Sequence, residues 1–193
     1  MQTVFAQCNA FYRADGPEEM RCVGETEFVA GIAAMSRSGL YGSVRVCTGI
    51  FSSANLHLGQ AVEPVLQAHL AVSPNFRGIR SAFPSDLNDE FMAGYAVLDK
   101  YHLSFDNYSP DYERLPALAK LADAYPDVPV IVNHLGGKID PNATPDEVAK
   151  WKDCIDASQC GDEGRRRPAT GGVLGTTISH QPKGNTHRLR GTL

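Results

Sequence analysis

Four places in the 193-residue chain set a residue suited to chemistry at or just after the end of an apolar run. His134 follows Val128 to Asn133 and precedes Gly136-Gly137. Arg80 closes Phe76 to Arg80, Asp106 closes His102 to Asp106, and Tyr12 and Arg13 come shortly after Val4 to Cys8. A neutral imidazole binds a divalent metal or polarises a carbonyl for attack by water. A guanidinium fork suits a substrate carboxylate through paired hydrogen bonds, and an aspartate serves as general base or orienting acceptor. Each also has an ordinary alternative. His134 could be a packed or hydrogen-bonded residue, Arg80 the partner of Asp106 in a salt bridge, Asp106 beside Asn107 the start of a loop, and Tyr12 and Arg13 plain loop residues. The other histidines carry less. His69 shares the apolar spacing of its helix, His102 begins a strand, His57 lies on a loop, and His180 and His187 fall near the end of the chain.

The elements that hold these residues alternate. Val4 to Cys8 reads as a strand and Asn9 to Gly24 as a loop. Glu25 to Ser38 has Phe28, Val29, Ile32, Ala33 and Met35 at helical spacing, with Thr26 as N-cap and Gly39 as stop. Val44 to Ile50 reads as a strand and Val62 to Leu70 as a helix that ends before Ser73-Pro74. The alternation continues through the strand Phe76–Arg80, the helix Leu87–Lys100, the strand His102–Asp106 and the helix Tyr112–Tyr125. It closes with the strand Val128–Asn133 and a helix opened by Thr144-Pro145-Asp146-Glu147, which supplies a cap, an N1 proline and an acidic first turn. Such units predict parallel strands joined by right-handed crossovers. The fold class is therefore α/β, about five βα units of a partial TIM-type (β/α)8 barrel over 1–158. Residues 159–193 have no periodic apolar face and are expected to form a disordered tail.

Composition narrows the function. The hydrophobic share of 42% and charged share of 21% are those of a globular protein. A net charge of -4 argues against nucleic acid or an anionic membrane as partner. The tail from Gly161 has six Lys or Arg against Asp162 and Glu163, basic by four, so the remainder stands at -8. No apolar run is long enough to span a bilayer and Met1 to Asn9 has no basic leader, so a cytoplasmic location is expected. Cys8, Cys22, Cys47, Cys154 and Cys160 are odd in number and contain no C-x-x-C, which predicts free thiols. No G-x-S-x-G elbow, P-loop or G-x-G-x-x-G occurs.

Phe76-Arg77-Gly78-Ile79-Arg80 and Val132-Asn133-His134-Leu135-Gly136-Gly137, in that order, carry a family resemblance. Val4 to Cys8, Tyr12 to Pro17, Val23 to Phe28 and Leu103 to Asp106 add to it. Together they resemble the amidohydrolase-related hydrolases, in the branch that includes 2-pyrone-4,6-dicarboxylate lactonase, over about residues 1–157. The resemblance implies a (β/α)8 barrel in which Val4–Cys8 matches the second strand and Val130–His134 the sixth. It also implies hydrolysis of a small carboxylated lactone or amide, with His134 and Asp106 catalytic and Arg80, Tyr12 and Arg13 at the substrate. Complete relatives can carry zinc or manganese, for which His134 is the candidate ligand here. Three departures stand out. No His-x-His pair precedes Val4, Ser81 stands where relatives often have histidine, and Tyr108-Ser109-Pro110 replaces a Tyr-His-Pro stretch. The chain thus reads as truncated at both ends, with residues 159–193 coming from a gene-model artefact, no metal held tightly, and activity impaired. Two rival readings remain: a non-catalytic fragment that self-associates through two open sheet edges, and an open doubly wound α/β binding domain.

Overall fold

In the computed structural model, which describes residues 1–137, 139–159, 170–172 and 175–178, the alternation is realised unit by unit. The elements are β1 (Gln2–Ala6), α1 (Val23–Arg37), β2 (Arg45–Ser52), α2 (Glu63–Val72), β3 (Phe76–Ser81), α3 (Asp89–Lys100), β4 (Ser104–Asn107), α4 (Leu115–Ala124), β5 (Val130–Asn133) and α5 (Pro145–Gln159). Strands β1 to β5 are all parallel and lie in chain order, so the sheet is a half-barrel curl, a partial TIM-type α/β barrel. A doubly wound sheet reverses its strand order at a switch point. This order never reverses, and that corrects the doubly wound alternative.

Winding in one direction gives the two sheet faces different fates. Ile50, Ile79, Phe105 and Val130 lie on the helix-covered face and are fully buried. Phe105 there meets Phe91 and Tyr95 of α3 edge to face. On the other face, Phe51, Arg80 and Ile131 are only partly covered and Val4 is exposed. Gly78 belongs to this second face. A Cβ there would lie 2.2 Å from the Ser104 carbonyl oxygen, so only glycine lets β3 and β4 approach this closely.

Local chemistry explains most boundaries. Asn88 caps α3 by accepting from the Phe91 amide at 2.9 Å, with Asp89 and Glu90 in the first turn. Thr144 and Glu147 close a capping box on α5: the Glu147 carboxylate accepts from the Thr144 amide at 2.7 Å, and the Thr144 hydroxyl accepts from the Glu147 amide at 3.3 Å. Thr26 is not the cap expected of it. Helix α1 begins at Val23, and Thr26 is a fully buried first-turn residue whose hydroxyl bonds His69 Nδ1 at 2.8 Å. His102 does not begin a strand either, because its φ of 52° puts it in the turn before β4.

Residues 170–172 (β6) and 175–178 (β7) fall in the segment expected to be disordered, yet both are strands. β7 pairs antiparallel with β5 and covers that edge of the sheet. The rest of 160–193, with Cys160, His180 and His187, lies outside the described residues. The expectation of two open edges is corrected at this one, while β1 has a neighbour on one side only among the described residues. Cys8, Cys22, Cys47 and Cys154 are free thiols. No described helix is long and apolar enough to cross a membrane.

His69 is fully buried between α1 and the sheet, its Nε2 lying 3.1 Å from the Ser53 carbonyl oxygen and its ring stacked on Phe76. Burial pushes its pKa down from the ordinary 6.5 to about 4, against the raising effect of the Ser53 carbonyl. The unfolded chain therefore takes up this proton first. The stabilisation is complete above the unfolded value and falls away as pH drops from about 6.5 toward 4, by on the order of 3 kcal/mol. Urea unfolding across that window should show the loss in the native chain and a flatter profile in His69→Gln.

Candidate active site

The C-terminal ends of β3, β4 and β5 converge on one buried carboxylate. Arg80 and Asp106 are direct neighbours in the β3–β4 register, and Asp106 is opposite Ile131 of β5, so Asn133 falls two residues further along the same face. Arg80 Nη1 donates to Asp106 Oδ2 at 3.2 Å, and the side-chain amide of Asn133 donates to Asp106 Oδ1 in a very short hydrogen bond. The guanidinium also sits over the Tyr108 ring, 5.2 Å from its centroid. Among the described residues, no hydrogen bond uses Arg80 Nε or Nη2, which leaves one edge of the fork unengaged.

Asp106 is 4% exposed. Burial raises its pKa above the ordinary carboxyl value, and the charge and hydrogen bond of Arg80, with a smaller effect of the nearby His134 ring, offset only part of that rise. A buried carboxylate that keeps a cation and an amide donor is well satisfied, and removal of either partner leaves a polar group stranded.

Asn107, on the opposite face of β4, ties down the rim. Its Oδ1 accepts from the amides of Phe83 at 3.0 Å and Ser109 at 3.1 Å, joining the loops that follow β3 and β4. After β5 the backbone turns left-handed over four residues, with φ of 52° at His134, 54° at Leu135, 86° at Gly136 and 146° at Gly137. Two of the four are glycine for a steric reason: a Cβ at Gly137 would lie 2.6 Å from the Pro110 carbonyl oxygen. The non-glycine pair sits in a sparsely populated region, the kind of strain that concentrates at functional loops. His134 is exposed on this loop.

The other expected site residues divide. Tyr12 joins the rim. Its hydroxyl donates to Asn9 Oδ1 at 3.2 Å; burial raises its phenol pKa, Ser53 after β2 works against that rise, and Tyr108 is near enough to add to it. Arg13 does not join, because its guanidinium pairs with Glu27 of α1 through Nε at 3.2 Å and through a shorter Nη2 contact. Asn133 and Tyr108 were not expected at the site. The signal for Asn133 was the period-two alternation of β5 read against Asp106; Tyr108 required knowing that its ring folds back over Arg80.

A divalent ion does not fit the described residues. Catalytic zinc takes about three protein ligands. Both Asp106 oxygens already accept hydrogen bonds, and no group of three or more His, Cys, Asp or Glu among the described residues is placed to hold a metal.

The fold and its rim define an α/β half-barrel with a charged, partly buried cluster at the C-terminal ends of its strands. Among solved structures, an amidohydrolase from Burkholderia multivorans with bound HEPES is similar, at a TM-score of 0.47 and 13% sequence identity, over 82% of this chain. This chain spans 64% of that one. No family model matches the sequence, and no curated protein does.

Asn133→Ala should leave Asp106 Oδ1 without a donor, at a cost of about 1–3 kcal/mol in unfolding free energy, and should raise the Asp106 pKa further. Denaturant titration and carbon NMR of the Asp106 carboxyl would measure both. An unchanged carboxyl titration would show that the amide does not hold it.

Proposed function

We propose that this chain is an amidohydrolase-like hydrolase whose substrate is a small carboxylated lactone or amide. The observation that carries the reading is Arg80, a guanidinium at the strand ends, held by Asp106 and Tyr108, with Nε and Nη2 unengaged among the described residues. That edge is the shape that receives a carboxylate through two parallel hydrogen bonds. Asp106 acts as a positioning residue, fixing the guanidinium while Asn133 fixes the carboxylate in turn.

His134 supplies the proton chemistry. It is exposed on the loop beyond β5 and near enough to Asp106 to affect its ionisation. Water adds to the substrate carbonyl carbon, the C–O or C–N bond breaks, and the proton lost by the water passes through the imidazole to the leaving atom. Tyr12 and Tyr108 provide the flanking aromatic surface. The ordered segments Phe76–Arg80 and Asn133–Gly137, on which the resemblance to amidohydrolase-related proteins rests, provide two of the three converging strand ends.

A panel of lactones and amides, each with and without a carboxylate, tests this reading. Turnover should favour the carboxylated members. Arg80→Lys should raise KM for those members by about tenfold or more while leaving neutral ones unaffected, and His134→Ala should lower kcat by about a hundredfold. Equal rates with and without the carboxylate would remove Arg80 from its role. Binding of carboxylated ligands without turnover would keep the anchor and sink the hydrolase.

A further inference from the structure

The exposed apolar side chains are unevenly distributed. Of the large hydrophobic residues open to solvent, Met1, Val4, Phe11, Tyr12, Phe28, Met35, Leu40 and Tyr41 fall in the first 41 residues, and only Leu87 and Leu135 lie elsewhere among the described residues. Met1 precedes β1, and the other seven belong to β1, α1 or the segments that follow them.

Helix α1 shows which way this surface faces. Thr26, on one flank, bonds His69 of α2. Phe28, Ile32 and Met35, at i, i+4 and i+7, lie on the opposite flank, away from α2. Phe28 stacks on Phe11 with ring centroids 3.8 Å apart, and Gly31 beside it faces open space. Lower down, Ile32, Met35, Tyr41, Val44 and Val46 line an apolar groove of about 220 Å3.

Among the described residues, strand β1 adds an unpaired backbone edge to this flank. The Met1 carbonyl accepts from Arg45 and the Gln7 amide donates to Phe51, so the odd-numbered residues turn their backbone groups toward β2. Parallel-ladder alternation then turns those of Gln2, Val4 and Ala6 outward. The strand, Gln-Thr-Val-Phe-Ala, has no charge or proline to block pairing.

From this edge we infer that two copies of the chain form a twofold dimer, with β1 antiparallel to β1 of the second copy and the α1 flanks facing each other. The outward residues satisfy the symmetry. Val4 is opposite its own copy and Gln2 opposite Ala6, so donors and acceptors match about a twofold axis at Val4. Charge matches as well. Asp15, Glu18 and Glu19 are exposed in the loop beyond the C-terminal end of β1, whereas Arg45, half-buried with Nη1 donating to the Ser36, Gly42 and Val44 carbonyls, puts a positive charge at its N-terminal end, so antiparallel pairing brings the acidic end of each copy toward the basic end of the other. Phe28 and Phe11 of one copy come toward the Ile32–Met35–Tyr41 groove of the other.

Sedimentation equilibrium of the full 193-residue chain should give a monomer–dimer equilibrium. Phe28→Lys with Met35→Lys alters two exposed positions, and it should weaken dimerisation at least about tenfold with the circular dichroism spectrum unchanged. Amide exchange offers a second reading independent of these variants: the Val4 and Ala6 amides should be protected in the dimer and lose protection on dilution. A monomer at all concentrations, association unaffected by the two lysines, or unprotected Val4 and Ala6 amides in the associated state would each overturn the proposal.

Discussion

A parallel sheet wound in one direction sends every right-handed crossover to the same side, so its helices bury one face and leave the other to be managed by different means. In this chain the helix face is satisfied by area alone, with Ile50, Ile79, Phe105 and Val130 fully buried and Phe105 set edge to face against Tyr95 of α3. The other face carries Arg80, Asp106 and Asn133, groups costly to bury singly and tolerable as a bonded set. The register that aligns Arg80 with Asp106 thus contributes twice, to the pairing of β3 with β4 and to the arrangement of the rim.

The sequence made the alternation of elements legible because each helix carries its own local signals. Thr144 and Glu147 are three residues apart and cap one another, and Asn88 reaches only as far as Phe91, so nothing distant is needed to read them. Thr26 shows where that method stops. Its partner His69 is 43 residues away, and a buried hydroxyl-to-imidazole bond outweighs the capping preference of threonine. Strands β6 and β7 were illegible for a related reason. Their Thr-Gly pattern offers no apolar period, and they pair through backbone groups with β5.

The candidate site was legible to the extent that it depends on strand ends. Arg80, Asp106 and His134 are recognisable because a polar residue closing an apolar strand must emerge at one end of the sheet. Whether two such residues touch depends on register, which sequence spacing leaves open; the β3–β4 ladder supplies it for Arg80 and Asp106. Arg13 illustrates the converse. It belongs to the loop at the right end of β1, but Glu27 of α1 accepts from both its Nε and its Nη2.

The left-handed loop that carries His134 is held from outside by the indole of Trp151, whose Nε1 donates to the Leu135 carbonyl at 3.1 Å. This is the chain's single tryptophan. Indole emission responds to hydrogen bonding and to water at the ring, so the indole fluorescence of the unmodified protein has one source, bonded to the residue that follows the histidine. Movement of that loop can be followed optically without attaching a dye.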